Sequence, residues 1–370
     1  MTRIAALFCA FLLVFAQGVA AAGVATPDDT ARLLAGLSVA PNSPLETFTR
    51  DASWQSHAKY FDKSWKQLEE RQLSKIHAWS VKNIPNRRPV MLYMFSGPDF
   101  LYADAFFKGA STYVLSALEP VGPVPDVAGF TPRQLAQELH ELQGSLNSVL
   151  SYSFFITKKM KTELNGGKLS GTLPVLYTFL ARSGKTVRSV SLVALKTDGT
   201  VVPAGEAAAE KGASPGAKIE FSEGAEGKVQ TLYYFSTDLS DGGVKASGFF
   251  KFCESLGPAD SFVKSASYLM HSDNFSKVRE FLVKNSAVLV QDDSGVPLRF
   301  FDPKEWHLTG FGRYLAPLGI FPGTTQPKMY DLFAKGKAQP LDFGIGYRWH
   351  GNESNLLLAV KITPPSAQAP

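Results

Sequence analysis

The 370-residue sequence predicts an α/β protein, a mixed β-sheet covered by helices, with a helical N-terminal segment and a C-terminal β-hairpin. Two observations carry this expectation. A short continuous apolar run at 90–95 and further strand-like stretches at 229–235 and 287–290 alternate with stretches whose apolar residues recur every three or four positions. That is the pattern of buried strands between amphipathic helices. Several extended segments also follow one another with only a turn between them, which makes the sheet mixed rather than purely parallel.

The chain opens with Arg3, an apolar run over 4–16 and the small residues Ala20, Ala21 and Ala22. This is the order of parts in a secretory signal peptide, so residues 1–22 are expected to be removed and the product to work in the periplasm or outside the cell. No later stretch is apolar for long enough to span a bilayer. The expected organisation is a helical segment over 23–85, an α/β domain over 86–362 with a division into two lobes left open near 200–228, and a disordered tail at 363–370.

Helical potential begins at 28–36. Over 54–81, Trp54, Phe61, Trp65, Leu68 and Leu73 approximate a 3.6-residue period, which reads as one or two amphipathic helices with the tryptophans as core anchors. Residues 90–95 read as a buried strand, with Pro89 at its start where a missing N–H is tolerated. A second strand is expected at 112–118. Thr131, Pro132 and Gln134 form a helix-start signature, and Leu135, Leu139, Leu142, Leu146, Val149, Ile156, Met160 and Leu164 continue its stripe. Residues 174–181 and 187–196 read as an extended pair turning at Ser183-Gly184, 204–216 as an excursion, and 229–235 as a strand. Helices are expected at 249–256, 261–269 and 275–284, a strand at 287–290, and a hairpin from 343–349 and 356–362 around Gly351-Asn352.

Composition excludes several classes of function. The formal charge is +5 from 38 basic and 33 acidic residues, but the basic residues are scattered and do not alternate with stacking aromatics, which argues against nucleic acid. Once the signal is removed only Cys253 remains, in an apolar setting, so no internal disulfide is possible and a buried inert thiol is expected. Neither a zinc-ligand spacing, a nucleophile elbow, a phosphate loop nor a dinucleotide fingerprint is present.

Chemistry is therefore expected at strand ends, where open α/β sheets bind ligands. Three such ends carry acids: Asp99, Asp238 with Asp241, and Asp292 with Asp293. If their strands are parallel neighbours, these carboxylates converge with the hydroxyls of Ser96 and Ser236. Asp99, Asp238 and Asp292 then offer hard oxygen ligands for Mg2+ or Ca2+, while Asp99, Asp238 and Asp293 with His271 offer acid and base groups. Asp and Ser are equally the residues that cap helices and close turns. Trp306, Tyr314 and Trp349 form a separate candidate groove for a sugar or peptide. The expected function is an exported, monomeric ligand-binding or structural module that meets an envelope component or small solute and needs no cofactor. The alternative is a metal-assisted hydrolase.

Overall fold

The computed structural model describes residues 24–152, 167–334 and 337–362. The export signal, the tail and the expected helical stripe beyond 152 lie outside them. The chain runs α1 (Pro27–Leu34), α2 (Ala52–Leu68), a single π-helical turn (Glu69–Leu73), α3 (Ser74–Asn83), β1 (Val90–Met94), α4 (Phe100–Phe107), β2 (Thr112–Ala117), α5 (Pro132–Tyr152), α6 (Leu173–Arg182), β3 (Lys185–Leu195), β4 (Val201–Pro203), β5 (Ser214–Glu223), β6 (Val229–Ser236), α7 (Asp241–Ala246), α8 (Phe249–Ser255), β7 (Ala259–Val263), α9 (Ser276–Asn285), β8 (Ser286–Gln291), β9 (Trp306–Gly312), α10 (Pro327–Phe333) and β10 (Asn355–Lys361).

All ten of these strands form one mixed sheet in the order β4-β3-β5-β6-β2-β1-β7-β8-β10-β9. Its centre, β6-β2-β1-β7-β8, is parallel. Antiparallel strands extend it on both sides, and residues 200–228 supply β4 and β5 of this same sheet. The central runs are apolar throughout because both faces are covered. Met91 and Tyr93 of β1 pack with side chains of α1 to α6, while Val90, Leu92 and Met94 pack with those of α7 to α10. Cys253 is buried within the second of these layers and its thiol is pushed up by burial, as expected of an inert packing residue.

The helical N-terminal segment follows its sequence pattern. Trp54, Phe61, Leu68, Leu73 and Trp79 are buried, and Trp54 Nε1 donates to the carbonyl of Leu33 at 3.0 Å. The start of α5 is reciprocally capped: Gln134 N donates to Thr131 Oγ1, and Thr131 N donates to Gln134 Oε1.

Four segments differ from the expectation. Residues 174–181 belong to α6, not to a strand; the run is buried on all sides, and a short run of that kind carries no period to separate helix from strand. Residues 204–216 hold a 3-10 turn (Ala204–Ala207) and the start of β5. Residues 261–269, expected to be helical, contain the end of β7 and an irregular loop. The terminal antiparallel pair is β10 with β9, so Trp306–Gly312 replaces 343–349 as the partner.

At the start of β7, Asp260 is fully buried and accepts from Arg88 N at 2.8 Å through one oxygen, while the other has no hydrogen-bond partner. Burial raises its pKa to about 6. The folded state therefore holds the proton more tightly than the unfolded chain, and stability is lost as pH rises from about 4 to about 6. Denaturant melts across this range are expected to show that loss, on the order of 2 kcal/mol, and Asp260→Asn is expected to remove it.

Candidate functional site

The chain changes direction at β1. From β1 it crosses through α4 to β2 on one side; after β6 it crosses through α7 and α8 to β7 on the other. The loops leaving β1 and β7 thus diverge from the carboxyl ends of adjacent parallel strands, the place where open α/β sheets form a crevice.

Both loops are strained. Phe95, after β1, has φ 61°; Ser265, Ser267 and Tyr268, after β7, have φ 52°, 51° and 53°. Among the described residues the other non-glycine positions of this kind are Asn42 and Asn86, and asparagine tolerates the left-handed region. For the bulky or hydroxylated residues here the conformation costs about 1–3 kcal/mol each and persists only if the surroundings hold it.

The turn after β8 holds the β7 loop. Asp292 Oδ2 accepts from Ser265 N at 2.9 Å, and Ser294 Oγ accepts from Ala266 N at 2.8 Å. Tyr268 donates to Asp293 Oδ2 at 2.6 Å, and Tyr347 donates to the Ser265 carbonyl at 2.8 Å. On the β1 side, Ser96 Oγ accepts from Ser116 N at 3.2 Å and ties the loop to β2.

Lys264 and Asp99 join the two loops. Lys264 Nζ lies 2.8 Å from Asp99 Oδ2, with both side chains almost wholly buried. The same carboxylate accepts from Tyr93 OH at 3.0 Å and, through Oδ1, from Tyr102 N at 3.2 Å, where Asp99 caps α4. The ammonium also stands 3.7 Å from the centre of the Tyr102 ring. Burial pushes the Lys264 pKa down, opposed by Asp99 and then by Asp292. Burial and the Asp99 charge push the Tyr93 phenol well up, so it remains a donor.

A cavity of about 150 Å³ opens above this pair. Tyr93, Ser96, Asp99, Glu119 and Lys264 contribute its buried polar wall, Phe95, Phe275, Leu239 and Leu269 its apolar wall, and Asp238, Leu118 and Ser267 its exposed rim. The cavity therefore draws on the ends of β1, β2, β6 and β7.

Of the sequence-predicted residues, Ser96, Asp99 and Asp238 line this cavity; Ser236, His271, Asp292 and Asp293 do not. The proposed metal triad does not assemble: among the described residues no group of three or more His, Cys, Asp or Glu is placed to hold a metal ion. The oxygens are already committed. Asp99 takes Lys264, Asp292 takes Ser265 N and Ser294 N, and Asp238 closes its own turn on Ser240 N and Oγ.

The acid-base set is dispersed as well. Asp293 is buried between Tyr268 and Asn355. The His271 ring packs edge-on against Tyr268, and burial lowers its pKa to about 4, which leaves it neutral near pH 7.

The aromatic groove is also corrected. Trp306 is buried against Phe301, Tyr314 is buried against Tyr330 and accepts from Gln326 N, and only Trp349 keeps partial exposure beside His350. Lys264, Glu119 and the Phe95–Phe275 pair were not foreseen as site residues. A charged residue directly after the apolar end of 259–263 was the available sign, hidden by the helical reading of 261–269.

No family model, curated protein or solved structure matches this chain. Among the described residues no helix is long and apolar enough to cross a membrane.

Removing one partner of a buried ion pair leaves the other uncompensated. Lys264→Met is expected to cost about 3–5 kcal/mol in urea denaturation. Adding Asp99→Asn, which keeps the α4 cap, is expected to recover most of that loss.

Proposed function

We propose that this protein is an exported binding protein whose ligand, a small molecule, sits in the cavity between the loops that follow β1 and β7. The observation that carries the reading is the coincidence of that cavity with four left-handed, non-glycine residues in the same two loops. Strain of this kind is usually relaxed unless a surface has to be held in one shape. The straps from Asp292, Ser294 and Tyr347 hold it, so a ligand would meet a wall already in place, with little ordering cost on binding.

The cavity suits a compact molecule rather than a polymer, because its volume is near that of a pocket that takes one aromatic ring. Its mixed lining supports selective binding: apolar side chains supply contact area, and a few fixed polar groups set orientation. The export reading rests on the charged, apolar and small-residue order of the first 22 positions. A solute of the envelope or the surrounding medium is the corresponding ligand source.

A ligand-observed NMR screen with cationic, neutral and anionic fragments tests the binding reading. Hits are expected to bind the wild-type protein and to be lost in Ala117→Phe, which fills the cavity from the end of β2. Hits that bind the filled, folded variant equally well, or a screen with none, would remove the reading.

A further inference from the structure

Among the described residues, four charged side chains line the cavity: Asp99, Glu119, Asp238 and Lys264. Each is already engaged within the protein. Asp99 and Lys264 neutralise each other at 2.8 Å, and Tyr93, the Tyr102 amide and the Tyr102 ring complete their surroundings. Both Asp238 oxygens accept from Ser240, one from its N–H and one from its hydroxyl, each at 2.8 Å. Glu119 is buried in the wall and engaged with the protein around it. A charge buried without a counter-charge keeps its desolvation cost. An ion entering this cavity would therefore have to break one of these pairings or go unmatched.

Three hydroxyls at the cavity are committed in the same way. Ser96 Oγ donates to the Gly97 carbonyl at 2.8 Å and accepts from Ser116 N. Thr237 Oγ1 accepts from Ser214 at 3.0 Å, and Ser267 shares a hydrogen bond with Tyr347 at 2.9 Å.

What the lining still offers is apolar surface. Phe95 and Phe275 meet edge to face with centroids 6.0 Å apart, and both stay partly exposed while lining the cavity beside Leu239, Ala266 and Leu269. Phe95 is held there at φ 61°, a conformation that a bulky side chain rarely adopts. A third ring entering beside such a pair adds edge-to-face or offset contacts beyond the apolar area it buries. An aliphatic body of the same size gains the area alone.

Resting on the ligand-binding reading above, we propose that this cavity takes an uncharged aromatic molecule of about one ring. The ring lies against Phe95 and Phe275, and a polar substituent, where present, lies at the exposed rim beside Ser267 and Asp238.

Four probes of similar size separate charge from aromaticity: 2-phenylethanol, 2-cyclohexylethanol, 2-phenylethylammonium and phenylacetate, titrated calorimetrically into the full chain at pH 7. 2-Phenylethanol is expected to bind at least about tenfold more tightly than either ion. It is expected to bind about threefold or more tightly than 2-cyclohexylethanol. Phe275→Leu keeps an apolar side chain at a partly exposed position and removes the ring. It is expected to weaken 2-phenylethanol by about threefold or more and to leave 2-cyclohexylethanol within about twofold, which reports that the cavity is intact. An ion that binds as tightly as 2-phenylethanol overturns the uncharged assignment. Equal affinity for the two alcohols, or a Phe275→Leu effect that is the same on both, overturns the aromatic one. Either result leaves the cavity reading standing. Failure of all four probes to bind also overturns the proposal, while the unrestricted screen with Ala117→Phe decides the cavity reading separately.

Discussion

The Lys264–Asp99 ion pair is the constraint on which the arrangement at the sheet centre depends. It joins the ends of β1 and β7, strands that neighbour each other only because the chain reverses direction at β1. Two charges taken out of water cost more than they return unless other groups complete their shells. Tyr93, the α4 amide at Tyr102, the Tyr102 ring and the field of Asp292 supply that completion. Once the pair is in place, the loops on either side can hold conformations that neither would keep alone.

The acidic strand ends show that capping a helix and shaping a site are compatible duties. Asp99 caps α4 with one oxygen and pairs with Lys264 through the other. Asp292 and Ser294 act one step further back, fixing the amides of Ser265 and Ala266 and so setting the wall of the cavity without reaching it. Buried charge by itself does not mark such a place. Lys185 is buried away from this crevice, paired with buried Asp104 and with the exposed Glu223, and ties β3 to α4 and β5. What distinguishes the β1–β7 crevice is buried charge together with a cavity and left-handed backbone.

Elements with a long, regular pattern were legible from the residues. The α2–α3 stripe, the capped start of α5 and the runs that became β1, β2, β6 and β8 all follow local periodicity or local turn chemistry. Errors fell where that information is weak. The buried run of α6 has no polar face to display a helical period, and 261–269 displays a false one because a strand end and a tight loop place apolar residues three and four apart. Trp306 and Tyr314 looked like groove residues because an aromatic side chain carries no local sign of whether another element will cover it.

The sequence by itself determined that the segments of β1, β2, β6 and β8 are strands, where α5 begins, and that acids stand at three strand ends, since each of these follows from spacing within a few residues. It also placed Ser96, Asp99 and Asp238 among the candidates that do reach the cavity. Only the tertiary structure decided which strand ends adjoin: it set β7 between β1 and β8, brought Lys264 to Asp99, and turned Asp292 and Asp293 into supports. The physical reason is that strand order and register are chosen by the packing of distant segments over both faces of the sheet. No local pattern records which distant charge will arrive to complete a buried shell.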